Sequence, residues 1–340
     1  MKMNLVRVAF FIIVLFVFSD FQVYSQDVET LNFSTIPSPN QLKVEKIVCL
    51  TNDNQYYLAP TWSPDGTMIA FTRANYIGIE VMNSDGSNRK TLTDEIGAGY
   101  KFSWSPDSKE IAYRASVFTN GERYFYIRKV NVSTGAIQNL SGPEIDVQPP
   151  QWSYSQSEKY VSFISLSTGN PRRINTPRIP LEKSSVLPKV TFQSNANKIL
   201  YYFNENIWIM DETGGNAEQL THDVGFSPVW SPDRSKIIYS HWDTLIVIDF
   251  VNKRKIILGR GIKPSWSPDG KMIVYQITTD NGHEITGSEL YITNTDGTQK
   301  IQLTNTPDEF EFDPCWSPDG KRICYTSLKT GQIYVLFLKW

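Results

Sequence analysis

The chain has 340 residues, 40% of them hydrophobic and 13% aromatic, enough apolar material for a substantial core. Its 33 basic and 35 acidic residues are mixed along the sequence and leave a net charge of −2, so electrostatics offers no case for a nucleic-acid partner. At the amino end, Lys2 and Arg7 precede an apolar run from Val8 to Phe18, and a polar stretch then ends in Val23-Tyr24-Ser25-Gln26. This is the pattern of a secretory signal peptide over residues 1–25, with cleavage near Ser25; an uncleaved anchor is the alternative. The run is too short to cross a bilayer comfortably, so no transmembrane span is expected after processing, and a periplasmic or secreted location follows. Residues 26–41, with Pro37 and Pro39, read as an exposed leader.

From residue 42 to 340 the chain repeats itself. Trp62-Ser63-Pro64-Asp65-Gly66 recurs as Trp104-Ser105-Pro106-Asp107, Trp230-Ser231-Pro232-Asp233, Trp266-Ser267-Pro268-Asp269-Gly270 and Trp316-Ser317-Pro318-Asp319-Gly320. Each copy leads into a short apolar strand such as Ile69-Ala70-Phe71 or Ile323-Cys324-Tyr325. Weaker copies start at Trp152 and Phe192, giving seven anchors spaced 36 to 50 residues apart. That period suits four-stranded propeller blades, which need roughly 40 to 45 residues each. Proline pre-sets φ, aspartate accepts backbone N–H groups and glycine tolerates a left-handed backbone, so each Ser-Pro-Asp-Gly is a hairpin turn. A third strand follows, then a polar turn and an outer strand ending in Leu-Thr or a near relative. The seventh anchor has no outer strand after it, whereas Lys46-Ile47-Val48-Cys49-Leu50-Thr51 has that pattern and precedes the first anchor. The predicted fold is therefore all-β: one propeller over 42–340, seven-bladed with six as the alternative, closed by its N-terminal strand. Burying one tryptophan removes roughly 150–250 Å² from water, about 4–6 kcal/mol gross, so packing between blades accounts for the recurrent rings.

Chemistry-bearing motifs are sparse. His222, His241 and His283 are not spaced as a metal pair, and no nucleophile elbow, phosphate loop or Cys-x-x-Cys occurs, so no catalytic residue, metal or cofactor is assigned. Counting from the turn, Cys315 faces Cys324 across strands, a position where either a disulfide or a buried thiol pair would fit. Blade three, crowded by Pro171, Pro177, Pro180 and Pro188, should be short and distorted. The turns of one propeller face are short and uniform; the other face carries irregular loops, including 116–123, 277–287 and 305–313. Binding is expected on that second face, through Tyr56, Tyr57, Tyr100, His241, Trp242, His283, Glu284, Asp308, Glu309, Phe310, Glu311 and Phe312.

The Trp-Ser-Pro-Asp-Gly-Lys-x-Ile-x-Tyr units ending in Leu-Thr resemble the WD-like propeller repeats of the TolB family of periplasmic proteins. The resemblance covers some 300 residues and implies an exported, non-enzymatic binding scaffold that recognises a protein or other envelope component. TolB itself carries an α/β domain ahead of its propeller, for which no space is expected here, and its propeller is six-bladed where seven anchors are counted in this sequence. Related repeats also occur in polysaccharide-processing proteins, so a carbohydrate-active propeller, a lyase or glycan-binding protein, is the second reading.

Overall fold

Every Trp-Ser-Pro-Asp turn joins the first two strands of one antiparallel sheet, and seven such sheets follow one another along the chain. The computed structural model describes residues 42–154, 158–167, 171–180, 198–211, 214–306 and 309–340. The signal peptide and leader expected over 1–41, the Phe192 anchor and Asp308 lie outside these residues. Blade one comprises Tyr57–Trp62, Met68–Arg73, Ile77–Asn83 and Lys90–Ile96. Blades two, five and six are likewise four-stranded and run in sequence order. Blade seven is completed from the far end of the chain: Lys43–Cys49 pairs antiparallel with Ile333–Lys339, from Lys43 opposite Lys339 to Cys49 opposite Tyr334.

Each turn is a small polar cage. Ser63 Oγ donates to Asp65 Oδ1 at 2.6 Å and accepts the Met68 N–H at 2.9 Å, while Asp65 Oδ1 accepts the Thr67 N–H at 3.0 Å. Gly66 sits at φ 70°; Ser108 and Arg234 take the same left-handed place in blades two and five, at 58° and 55°. The outer Leu-Thr is a clamp. Leu220 N–H donates to the Ile207 carbonyl, and the next hydroxyl, Thr221 Oγ1, accepts the Ile207 N–H at 2.9 Å. The same double bond joins Leu50-Thr51 to Ile333, Leu140-Ser141 to Ile127 and Leu303-Thr304 to Leu290.

Blades pack through seven apolar clusters, one per seam. Trp62 and Phe71 of blade one meet Cys324 and Val335 of blade seven, so the ring closes through side chains as well as strands. The anchor indoles also reach across the seams. Trp104 Nε1 donates to the Thr61 carbonyl, Trp152 Nε1 to Ser103 and Trp266 Nε1 to Val229, at 3.0 to 3.3 Å.

Two regions differ from the sequence expectation. Residues 116–123 and 277–287 are mostly regular hairpin: Glu110–Thr119 pairs with Glu122–Asn131 through an Asn120-Gly121 turn, and Met272–Asp280 pairs with Ile285–Asn294. An Asn-Gly turn between alternating β-formers extends a hairpin rather than ending it. These strands have nine or ten residues against six in Met68–Arg73, so each hairpin rises roughly 10–13 Å higher than in blade one. Blade three is distorted as expected: its third strand is broken into Arg172–Asn175 and Ile179–Pro180 around Thr176-Pro177, both parts pairing with Glu158–Ser165, because proline supplies no ladder donor.

Candidate ligand site at the mouth of the central channel

In five blades the first strand, which faces the axis, is bent at its start by a recurring device three residues before the tryptophan. Ala59, Lys101, Ser227, Lys263 and Asp313 all lie at positive φ, between 50° and 58°. In blades one, five, six and seven this residue precedes a proline, Pro60, Pro228, Pro264 or Pro314, and the pairing slips by one residue. A left-handed residue plus a missing donor makes a bulge. In blade three Pro149 holds the corresponding place. The bulges stand where the loops between blades enter the channel, on the same face as the tall hairpins.

Together they line a cavity of about 100 Å³ to which six blades contribute, from Ala59 and Pro60 round to Asp313 and Pro314. That is room for several waters or the end of one extended side chain. Its charged edge is an ion pair, Lys263 Nζ to Asp313 Oδ1 at 2.9 Å, both side chains largely buried. The Asp313 N–H donates to Gln276 Oε1 at 2.9 Å, and Gln276 is fully buried, so the acidic residue is fixed from behind. Tyr100 packs edge-on to Tyr76 at 5.3 Å across from this pair. Such a rim offers a cation, a carboxylate, amides and aromatic edges to a ligand. Among the described residues no group of three or more His, Cys, Asp or Glu side chains is arranged to hold a metal ion.

The residues expected from sequence are divided among several places. Tyr100 lines the cavity. Tyr57 is completely buried: its hydroxyl donates to Asp53 at 2.7 Å, Arg89 covers its ring, and burial with the Asp53 contact pushes the phenol up to about 12. It belongs to the frame. Tyr56 is 37% exposed and reaches toward the Lys329 carbonyl. His241 bonds the Val224 carbonyl through Nδ1 at 2.7 Å. Trp242 is 65% exposed, its ring edge-on to Phe226. His283 and Glu284 sit at the tip of the blade-six hairpin, their N–H groups bonded to Asn281 Oδ1.

The 309–312 segment turns inward. Phe312 is buried, and Glu311 is 1% exposed. Thr306 ties two carboxylates together, its hydroxyl donating to Glu311 and its N–H to Glu289 at 2.9 Å. The second oxygens of both are buried without a hydrogen-bond partner. Burial, then the charges of Glu289 and Glu309, push Glu311 up to about 7. Ser327 donates to Glu309, and Phe310 forms an isolated bridge with Ser288. Cys315 and Cys324 stand opposite each other, but no bond joins their sulfurs. Burial and the neighbouring Cys315 thiol push Cys324 well up.

Sequence reasoning missed Lys263 and reached Lys101 and Asp313 only as the ends of loops, not as site residues. The signal was present in the dipeptides Ala59-Pro60, Ser227-Pro228, Lys263-Pro264 and Asp313-Pro314 two residues ahead of each anchor.

Residues 188–339 match the family model of the TolB beta propeller domain. Among solved structures, oligogalacturonate lyase from Vibrio parahaemolyticus is 16% identical with a TM-score of 0.57, the match covering 92% of this chain and 98% of that one. The Myceliophteria thermophila Cps50 (Swd1) beta-propeller domain is 12% identical with a TM-score of 0.55, covering 85% and 99%. TolB from Acinetobacter baumannii is 20% identical with a TM-score of 0.48; the match covers 75% of this chain and 56% of that chain. At these identities the likenesses show the fold alone.

Proposed function

We propose that this TolB-like propeller is an exported, non-enzymatic binding scaffold that recognises a protein or other component of the cell envelope through its channel mouth and tall-hairpin face. One observation carries the reading. The frame repeats from blade to blade, yet the left-handed residues that line the channel mouth differ from one another: Ala59, Lys101, Lys263 and Asp313. A repeated support that carries unlike residues at its channel mouth is the architecture of recognition. The carbohydrate-active reading calls for histidines converging on the channel. None of His222, His241 and His283 lines the cavity, which favours the scaffold. Among the described residues no helix is long and apolar enough to cross a membrane.

The test is affinity capture from envelope extract with the purified protein, beside a Lys263→Ala plus Asp313→Ala variant that keeps its melting temperature. Retention of one protein by the parent and its loss from the variant supports the proposal. Cleavage of a polysaccharide in a parallel screen, abolished by substituting a histidine, overturns it.

A further inference from the structure

Blade two carries a row of cations and aromatic rings that leads from the channel mouth up the tall hairpin. Lys101 Nζ lies 5.3 Å from the Tyr100 ring centre, and the Arg114 guanidinium lies 4.9 Å from the same ring. Arg114 also lies 4.5 Å from Phe125, Arg123 lies 4.7 Å from Phe125, and Arg123 then reaches Phe118 at 5.9 Å. Each guanidinium is thus held in place by ring faces rather than by acids. Arg114 donates one bond, to the Val147 carbonyl at 2.6 Å, while its Nε is buried without a hydrogen-bond partner. Arg123 donates to the Ser116 hydroxyl only. The other arginines of blades one and two are differently placed: Arg73 and Arg89 pair with Glu80, and Arg128 with Glu95.

Two neighbouring arginines without a carboxylate partner, one of them largely desolvated, are costly to keep. Burial holds Arg114 below the ordinary arginine range, and the like charge of Arg123 adds to it. Asp146, the acid whose charge reaches Arg114, is exposed and makes no ion pair with it. Aromatic faces fix both guanidinium groups, and the exposed Arg123 keeps its Nη1 N–H groups to donate to an anion while Arg114 adds its charge from behind.

We infer that the Arg114–Arg123 row is a recognition site for the carboxylates of an acidic peptide segment. This rests on the scaffold reading and names the chemistry of its partner. Alternating flat rings and guanidinium groups suit an extended chain whose side-chain carboxylates meet successive cations while its backbone lies along the rings.

Fluorescence anisotropy with a labelled hexaglutamate peptide tests it, on the full purified protein in about 20 mM and about 150 mM salt. Saturable binding is expected, weaker at the higher salt. Arg123→Glu, at an exposed hairpin tip, should weaken it at least tenfold, and Arg114→Met should do so too. Arg254→Glu on the outer strand of blade five should leave it unchanged. No binding by the parent, or equal binding by Arg123→Glu, overturns the assignment whether or not Arg114→Met folds. Hexagalacturonate displacing the labelled peptide better than unlabelled hexaglutamate overturns it in favour of an acidic glycan. If Arg123→Glu still captures the envelope partner while hexaglutamate never binds, the row has failed and the scaffold reading stands.

Discussion

The indole N–H of Trp62 donates to the carbonyl of Cys315 at 3.3 Å, linking positions 253 apart. It is the ring-closing member of the series that Trp104, Trp152 and Trp266 repeat at other seams. Trp316 occupies the same place in blade seven, yet its indole nitrogen is buried without a partner. Trp62→Phe should therefore cost about 1–3 kcal/mol by stranding a buried carbonyl, while Trp316→Phe loses no bond and should cost less. Chemical denaturation of the two variants, compared at the same denaturant slope, checks the difference.

Removal of residues 42–51 deletes the strand opposite Ile333–Lys339 and the Thr51 hydroxyl that clamps Ile333. An open sheet edge and an uncovered flank of blade seven result. The expected outcome is a fall in melting temperature far beyond that of removing residues 26–41, read by differential scanning calorimetry. Equal unfolding of the two truncations would sink the closure scheme.

Glu311 supplies a pH dependence. Its carboxyl is pushed up to about 7 from 4.5, so the folded state holds a proton that the unfolded state has released. Its contribution is intact below about pH 4.5 and falls away as pH rises toward 7. The change is at most about 3 kcal/mol. Glu311→Gln should flatten this slope and leave the variant more stable than the parent at pH 8, as urea titrations from pH 5 to 8 would reveal.

Thiol reactivity follows burial. Cys49 is exposed, whereas Cys315 and Cys324 are buried, and burial raises Cys324. Iodoacetamide on the native protein should label Cys49 alone, and all three thiols after unfolding without reductant. A single label after unfolding would mean that Cys315 and Cys324 are bridged.

The frame was legible because its signals are local and repeated. Ser63, Asp65 and Gly66 state a turn within a few residues, and the distance from one Trp to the next states the blade. The site was less so. Tyr57 and Phe312 are aromatic residues in loop-like sequence, but their burial depends on Arg89 and on the neighbouring blade, which no local pattern reveals. Lys263 and Asp313 meet only because two blades bend their first strands alike. The cations of blade two escaped notice for the same reason: Lys101, Arg114 and Arg123 lie apart in sequence and are aligned by rings contributed from three segments.

The strand Lys43–Cys49 waits for Ile333–Lys339, and this sets an order of events as well as a shape. During synthesis the first strand of the ring emerges with nothing to pair with, and its partner follows only after the six other blades. Blades can form one after another behind the ribosome, but the circle stays unlatched until Ile333–Lys339 is made.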